Sequence, residues 1–265
     1  MSQYKMVPDF WQAAVAFGSA FLAGAINSVA GGGTLISFPA LIWLGLPSVT
    51  ANATSTLAIW PGSVGGMWGF RRELRAIEPR LLLLIIPSIA GGIAGALLLR
   101  LTPPSTFDVL VPFLILFATL LFMAQETVQR RLKTTGPAAH QSPRWLAGAM
   151  MFQLLVALYG GYFGAGIGIL MLAALSILGL EDIHQMNGLK NFLAVSINGV
   201  AALYFLWAKM VYWPYVVIMA VAAILGGFSG AGVARRIGRN AVRRIVIGIG
   251  FAMALSLFLK LFIRG

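Results

Sequence analysis

Ala25-Ile26-Asn27-Ser28-Val29-Ala30-Gly31-Gly32-Gly33-Thr34 is the stretch on which the reading of this chain turns. It is rich in glycine and small polar side chains, yet it lies inside otherwise unbroken apolar sequence. A bilayer core holds no water to satisfy free N–H and C=O groups. Irregular backbone survives there only where it is buried in protein or lines a cavity. Interrupted helices at that depth are where many transporters hold their cargo.

The surrounding chain supports the membrane setting. Of 265 residues, 59% are hydrophobic and only 10% charged, and the mean hydropathy is +0.89. Soluble domains carry about 25% charged residues, so the composition is that of an all-α polytopic membrane protein. The net charge of +12 does not point to nucleic acid. The basic residues cluster in short loops between apolar runs, a pattern that sets membrane orientation and attracts anionic lipid headgroups. With no cysteine, the chain has neither disulfides nor thiolate chemistry. His140 and His184 both fall in polar connecting stretches, so neither a metal site nor a cofactor is expected. Lys5 and Pro8-Asp9 precede an apolar run longer than the roughly 7–15 residues of a secretory signal. That run is expected to stay as the first span.

A transmembrane helix needs about 20 mostly apolar residues. Such runs lie near 10–30, 51–70, 81–100, 107–126, 145–163, 187–208, 213–234 and 243–263, with two shorter apolar arms at 34–46 and 167–180. At 1.5 Å per residue the first arm reaches roughly 20 Å, too little for a core of about 30 Å. Its glycine-rich lead-in is therefore expected below the surface. Arginines fill the loops around 71–80 and 235–244, and Arg130, Arg131, Lys133 and Arg144 fill the central one. All three are expected on the cytoplasmic side. An even number of crossings between them makes both arms cross, giving ten segments with both termini outside. Eight spans with two re-entrant arms is the alternative. Trp207 and Trp213, flanking Lys209, look like an interfacial belt.

The chain also repeats itself. Gly91-Gly92-Ile93-Ala94-Gly95-Ala96 with Arg100 matches Gly226-Gly227-Phe228-Ser229-Gly230-Ala231 with Arg235, a displacement of 135 residues (226 − 91). Gly45-Leu46 parallels Gly179-Leu180, Asn52 parallels Asn187, and the break at 31–33 parallels Gly164-Ala165-Gly166-Ile167-Gly168. The basic loop 71–80 corresponds to 209–213, which holds only Lys209, whereas the lightly charged 101–106 corresponds to the arginine-rich 236–242. This swap of charge, with five segments per half, predicts an inverted repeat. The halves are an N-terminal repeat over 1–128, a basic cytoplasmic linker over 129–144 and a C-terminal repeat over 145–265. The Gly91/Gly95 and Gly226/Gly230 pairs have the spacing that lets membrane helices pack closely.

Candidate site residues form two clusters. Asn27, Ser28, Gly31, Gly32, Gly33 and Thr34 precede a short arm whose N-terminus points into the protein. Gly164, Gly166 and Gly168 repeat the arrangement, with Tyr159 and Tyr162 nearby as hydroxyl donors. Helix N-termini attract anions through free N–H groups and the dipole, so two opposed N-termini would hold a small anion. The plainer reading is a pair of tight turns that let helices pack. Asn52, Thr54, Ser55 and Thr56 open the next span, and their mates are Asn187, Lys190 and Asn191, with Asn198 two turns on. Lys190 is the one cation placed well inside a polar-faced span, where it would pair with a bound anion or snorkel to the surface. The acidic residues all sit at span ends or in loops, which gives a proton relay little support. The potential of an inside-negative cell would itself drive an anion outward, by about 2.3 kcal/mol per charge per 100 mV.

The run from Ser28 to Leu41 (Ser-Val-Ala-Gly-Gly-Gly-Thr-Leu-Ile-Ser-Phe-Pro-Ala-Leu) resembles the first signature of the TauE/SafE sulfite exporter family. Asn52-Ala53-Thr54-Ser55-Thr56-Leu57-Ala58 resembles its next block, and Gly164-Ala165-Gly166-Ile167-Gly168 with Lys190-Asn191 resembles its C-terminal blocks. The resemblance runs from about residue 10 to 263. It implies a multi-pass inner-membrane permease for sulfite or related organosulfur anions. Many members carry Thr-Asn-Lys where this chain has Thr54-Ser55-Thr56, so Lys190 is the sole lysine of the pair. A permease for another small anion and a membrane scaffold without cargo are the alternatives. An intramembrane enzyme lacks a nucleophile–base pair or metal set inside the spans.

Overall fold

The computed structural model describes residues 7–29, 32–69, 71–75, 77–132, 143–177, 180, 183–237 and 239–264. Gly31, Lys133, His140, Gly179, Glu181 and Asp182 lie outside the described residues. Among the described residues every regular element is helical. In chain order they are α1 (Phe10–Val29), α2 (Thr34–Trp43), α3 (Ser48–Gly69), α4 (Arg71–Arg75), α5 (Pro79–Leu82), α6 (Ile85–Leu101) and α7 (Pro104–Leu132), then α8 (Pro143–Tyr162), α9 (Ile167–Ile177), α10 (Ile183–Trp207), α11 (Trp213–Ile237) and α12 (Arg239–Arg264).

Four stretches are long and apolar enough to cross a membrane: Phe10–Asn27, Pro79–Leu101, Pro104–Ala124 and Gln185–Trp207. Shorter apolar helices include Thr34–Trp43, Leu146–Tyr162, Trp213–Phe228 and Val246–Phe262. Two expectations about helix boundaries are corrected. The apolar run 81–100 is not one uninterrupted helix. Pro87 has no N–H and its ring displaces the Leu83 carbonyl. The chain passes from α5 to α6 through tight turns, with the Leu83, Leu84 and Ile86 amides bonding three residues back. The basic stretches are largely helix rather than loop: Arg71–Arg75 forms α4, Arg130 and Arg131 lie in α7, Arg144 lies in α8, and α11 runs to Ile237 with α12 beginning at Arg239. Arginine is a good helix former, and cations in a last turn offset the helix dipole.

The short helices explain themselves by length. At 1.5 Å per residue the ten residues of α2 cover about 15 Å, half of a bilayer core. The Trp11 and Trp43 rings meet edge to face at 5.9 Å, so α2 ends at the level where α1 began. α1 and α2 thus form a hairpin that returns to its own side, with the Thr34 end of α2 deep in the protein. α8 and α9 form the second hairpin, and α9 also leads back toward the start of the next long helix.

Helix pairings come in matched sets. α1 packs on α11 as α8 packs on α6, and α3 packs on α11 as α10 packs on α6. α3 crosses α10, and α7 lies along α12. Glycine is what allows the close pairs. A Cβ on Gly226 would stand 2.0 Å from the Phe21 carbonyl oxygen, one on Gly24 would stand 2.2 Å from that of Ala223, and one on Gly95 would stand 2.2 Å from that of Leu158. The packing role read for Gly91, Gly95 and Gly226 is what the structure displays.

The ends of the bundle are set by contacts to α10. Gly188 near its start faces Glu73 and Leu74 of the basic segment. At its far end, the Arg100 guanidinium lies over the Trp207 ring and donates to the Tyr204 hydroxyl at 3.3 Å. The arginine-rich segment of α4 and the end of α6 therefore sit at opposite ends of the bundle.

Candidate functional site

The tips of both hairpins meet in one cavity of about 50 Å³. Asn27, Gly32 and Thr34 line it from the first, and Gly164, Ile167 and Gly168 line it from the second. The walls come from Ile59, Gly62 and Ser63 on α3 and from Lys190, Asn191, Ala194 and Asn198 on α10. Both sets follow helical spacing, so each is one face of its helix. α3 and α10 are pinned at this level by the Trp60 indole N–H, which donates to the Val195 carbonyl at 3.0 Å. Val195 is the central residue of α10 (Ile183–Trp207), so the cavity lies near mid-depth. Gly199 makes room for that indole, since its Cβ would stand 3.0 Å from Trp60 Nε1.

The breaks themselves require glycine. Gly32, Gly164 and Gly166 have φ of +100°, +78° and +79°, a region that side chains with a Cβ enter only at a cost. Gly33 is needed for a different reason. Its φ of −56° is ordinary, but a Cβ there would stand 2.3 Å from the Ala23 carbonyl oxygen. The Asn27 side chain then ties the break together, its Oδ1 accepting from the Gly33 amide at 2.8 Å. One amide expected to face a ligand is therefore already bonded within the hairpin. The ladder of α2 starts with the Leu35 and Ile36 amides, which bond to the Gly32 and Gly33 carbonyls. The start of α9 is similar, with the Ile169 amide bonding to Gly166.

Electrostatically the cavity favours negative charge. Each short helix presents its N-terminus there, roughly half a positive charge apiece. Lys190 is 4% exposed, and its ammonium donates to Asn187 Oδ1 at 3.1 Å. Among the described residues no carboxylate lines the cavity. The amides of Asn191 and Asn198 and the hydroxyls of Ser63 and Thr34 add donors that can turn toward an oxyanion.

Other residues read as candidates sit elsewhere. Asn52 is buried and its Nδ2 donates to the Tyr162 carbonyl at 3.0 Å. Thr54 Oγ1 accepts from the Tyr212 amide at 2.9 Å, tying α3 to the turn before α11. The Ser55 and Ser37 hydroxyls bond at 2.6 Å. The Tyr159 hydroxyl donates to the Ala165 carbonyl at 2.8 Å, bracing the second break from behind. Tyr162 reaches Thr102 at 3.4 Å. Gly166 packs against Ala118 of α7, and Ser28 falls in the last turn of α1. Gly62 and Ser63 line the cavity without having been singled out. Their signal was present, because they continue the stripe of Asn52, Ser55 and Ile59 by one more turn.

A helical membrane protein with paired broken hairpins around a central polar cavity is the class that these observations define. The profile of the family described as "Sulfite exporter TauE/SafE" matches residues 16–257, and the chain belongs to that family. Its relatives include a "Probable membrane transporter protein" of Haemophilus influenzae, 28% identical over 246 residues that cover 91% of this chain and 92% of that one. The "Probable membrane transporter protein ORF9" of a Sinorhizobium species is 27% identical, with coverage of 91% and 90%. The "Probable membrane transporter protein YfcA" of Escherichia coli K12 is 27% identical, with coverage of 92% and 88%. No solved structure matches the chain significantly.

Proposed function

We propose that this protein is an inner-membrane transporter for sulfite or a related small organosulfur anion, working by alternating access between two inverted repeats. The observation that carries the proposal is the mid-depth cavity, lined from both halves, with Lys190 in its wall and no carboxylate among its described lining residues. A charge in a dry interior needs compensation, and the cavity supplies one cation, two helix N-termini and several neutral donors. A volume of about 50 Å³ suits a compact oxyanion, because a single water needs about 10–15 Å³ on the same measure.

The matched helix pairings support the inverted repeat, since exchanging the halves maps α1 on α11 to α8 on α6 and α3 on α11 to α10 on α6, and leaves α3 with α10 and α7 with α12 in place. The Ser37–Ser55 and Asn52–Tyr162 bonds join α3 to the two hairpins beside the cavity. In the proposed cycle these contacts part when the site opens toward that end. Asn27, Thr34, Ser63, Gly164, Gly168, Lys190, Asn191 and Asn198 form the binding shell, and Asn52, Thr54, Ser55, Tyr159 and Tyr162 hold the frame. An inside-negative potential favours export.

Anion binding should raise the melting temperature of the purified protein by mass action. Sulfite is expected to stabilise the wild type and to lose that effect in Lys190→Ala. If sulfite, sulfate and small sulfonates all leave the melting temperature of the wild type unchanged, the proposal fails.

A further inference from the structure

A second cavity, of about 290 Å³, opens at the far end of the bundle from the arginine-rich segments. It lies between the turn joining α2 to α3, the start of α7 and the end of α12. Its floor is apolar, with Leu46, Val111 and Leu257, while Ser48, Asp108 and Lys260 supply its polar groups. The Ser48 hydroxyl donates to Asp108 Oδ1, which holds the carboxylate in place. Arg80 pairs with Glu78, and among the described residues no ion pair joins Asp108 to Lys260. Asp108 and Lys260 thus face the same space without closing on each other.

Two observations put this crevice at headgroup depth. Asp108 is in the first two turns of α7, and Lys260 is in the last two turns of α12. The adjoining Trp43 is 66% exposed and packs on Trp11, as tryptophans do at a membrane interface. Below the mouth, Phe113 and Phe258 meet edge to face at 4.9 Å. Phe113 on α7 and Leu255 and Leu259 on α12 are exposed below it.

We propose that this crevice binds a phospholipid with a primary-amine, zwitterionic headgroup. The ammonium donates to the Asp108 carboxylate, the phosphate accepts from Lys260, and an acyl chain lies along the floor toward Phe113. A carboxylate and an ammonium held apart match a phosphate and an ammonium joined by two carbons. A trimethylammonium headgroup has no N–H to give Asp108. A purely anionic headgroup meets Lys260 but is repelled by Asp108. This site is separate from the central cavity and does not depend on the transport proposal.

Native mass spectrometry of the full-length protein, exchanged into equimolar phosphatidylethanolamine and phosphatidylcholine, tests it. The wild type is expected to retain the ethanolamine lipid over the choline lipid by about three- to fivefold, the range of one interfacial charge-assisted contact. Asp108→Asn keeps an acceptor for Ser48 and should bring the ratio to near one. Lys260→Gln should reduce retention of both lipids and of phosphatidylglycerol. Equal retention by the wild type, an unchanged ratio in Asp108→Asn, or undiminished retention in Lys260→Gln would each overturn the assignment.

Discussion

Replacing Gly33 by alanine isolates the packing of the first broken hairpin from its backbone conformation. The residue has φ of −56° and ψ of −26°, which alanine adopts freely, so the effect is steric alone. The added Cβ would stand 2.3 Å from the Ala23 carbonyl oxygen and 2.8 Å from its carbon, where ordinary contact begins at 3.4 Å. α1 and α2 must separate by about 1 Å, and backbone on both sides leaves no flexible side chain to yield. Overpacking of this kind costs about 1–3 kcal/mol. The same movement stretches the Asn27–Gly33 bond, now 2.8 Å, and displaces Asn27 and Thr34 in the cavity wall. With a scaling of about 2–4 °C per kcal/mol for a chain of this length, the melting temperature of detergent-purified protein should fall by roughly 2–12 °C. Anion flux should fall further than stability alone explains. Gly18→Ala on the same helix is the control, because its Cβ would meet nothing within 4 Å. That variant should gain up to about 1 kcal/mol from helix propensity. If Gly33→Ala and Gly18→Ala melt alike and transport alike, the close contact between α1 and α2 is not what shapes the site.

Gly164→Ala and Gly166→Ala should each lose about 1–2 kcal/mol, because φ is +78° and +79° and an L side chain is strained there. Asparagine at either position should be better tolerated than alanine, and thermal unfolding distinguishes the two. The chain has no cysteine, so single cysteines report sidedness without background. Arg75→Cys, in the basic segment, should react with a membrane-impermeant thiol reagent only after permeabilisation. Ser105→Cys, exposed at the opposite end, should react in intact cells. The reverse pattern would invert the orientation read from the arginines.

The breaks were legible in the sequence because glycine runs inside apolar sequence have few uses, but the loop charges made both arms cross, whereas the ten residues of α2 cover about half of a bilayer core. The packing glycines were legible from their spacing. The two breaks were expected to meet near the bilayer centre; which polar residues of α3 and α10 line the cavity there was not legible. Asn52, Ser55, Ile59 and Ser63 share one stripe of α3, as Asn187, Asn191 and Asn198 share one of α10, so periodicity gives the face but not the level at which the helices part. That level is set by Trp60 meeting Val195, a contact between residues 135 positions apart. For the same reason Thr54 and Ser55 looked like ligand donors when they fasten α3 to neighbouring segments. Lys190 stood out by its charge, and it lines the cavity rather than snorkelling to the surface. Gly62 and Ser63 lie one turn further along the same stripe of α3 and line the cavity.

The central claim is that Lys190, set in the wall where the two hairpin tips meet, compensates a transported oxyanion. Flux of labelled sulfite through proteoliposomes, with and without an imposed potential, measures this directly. Saturable, potential-sensitive flux in the wild type, lost in Lys190→Gln and partly restored in Lys190→Arg, is the predicted result. Wild-type flux no greater than that of empty vesicles, or a Lys190→Gln variant that transports as well as the wild type, would contradict it.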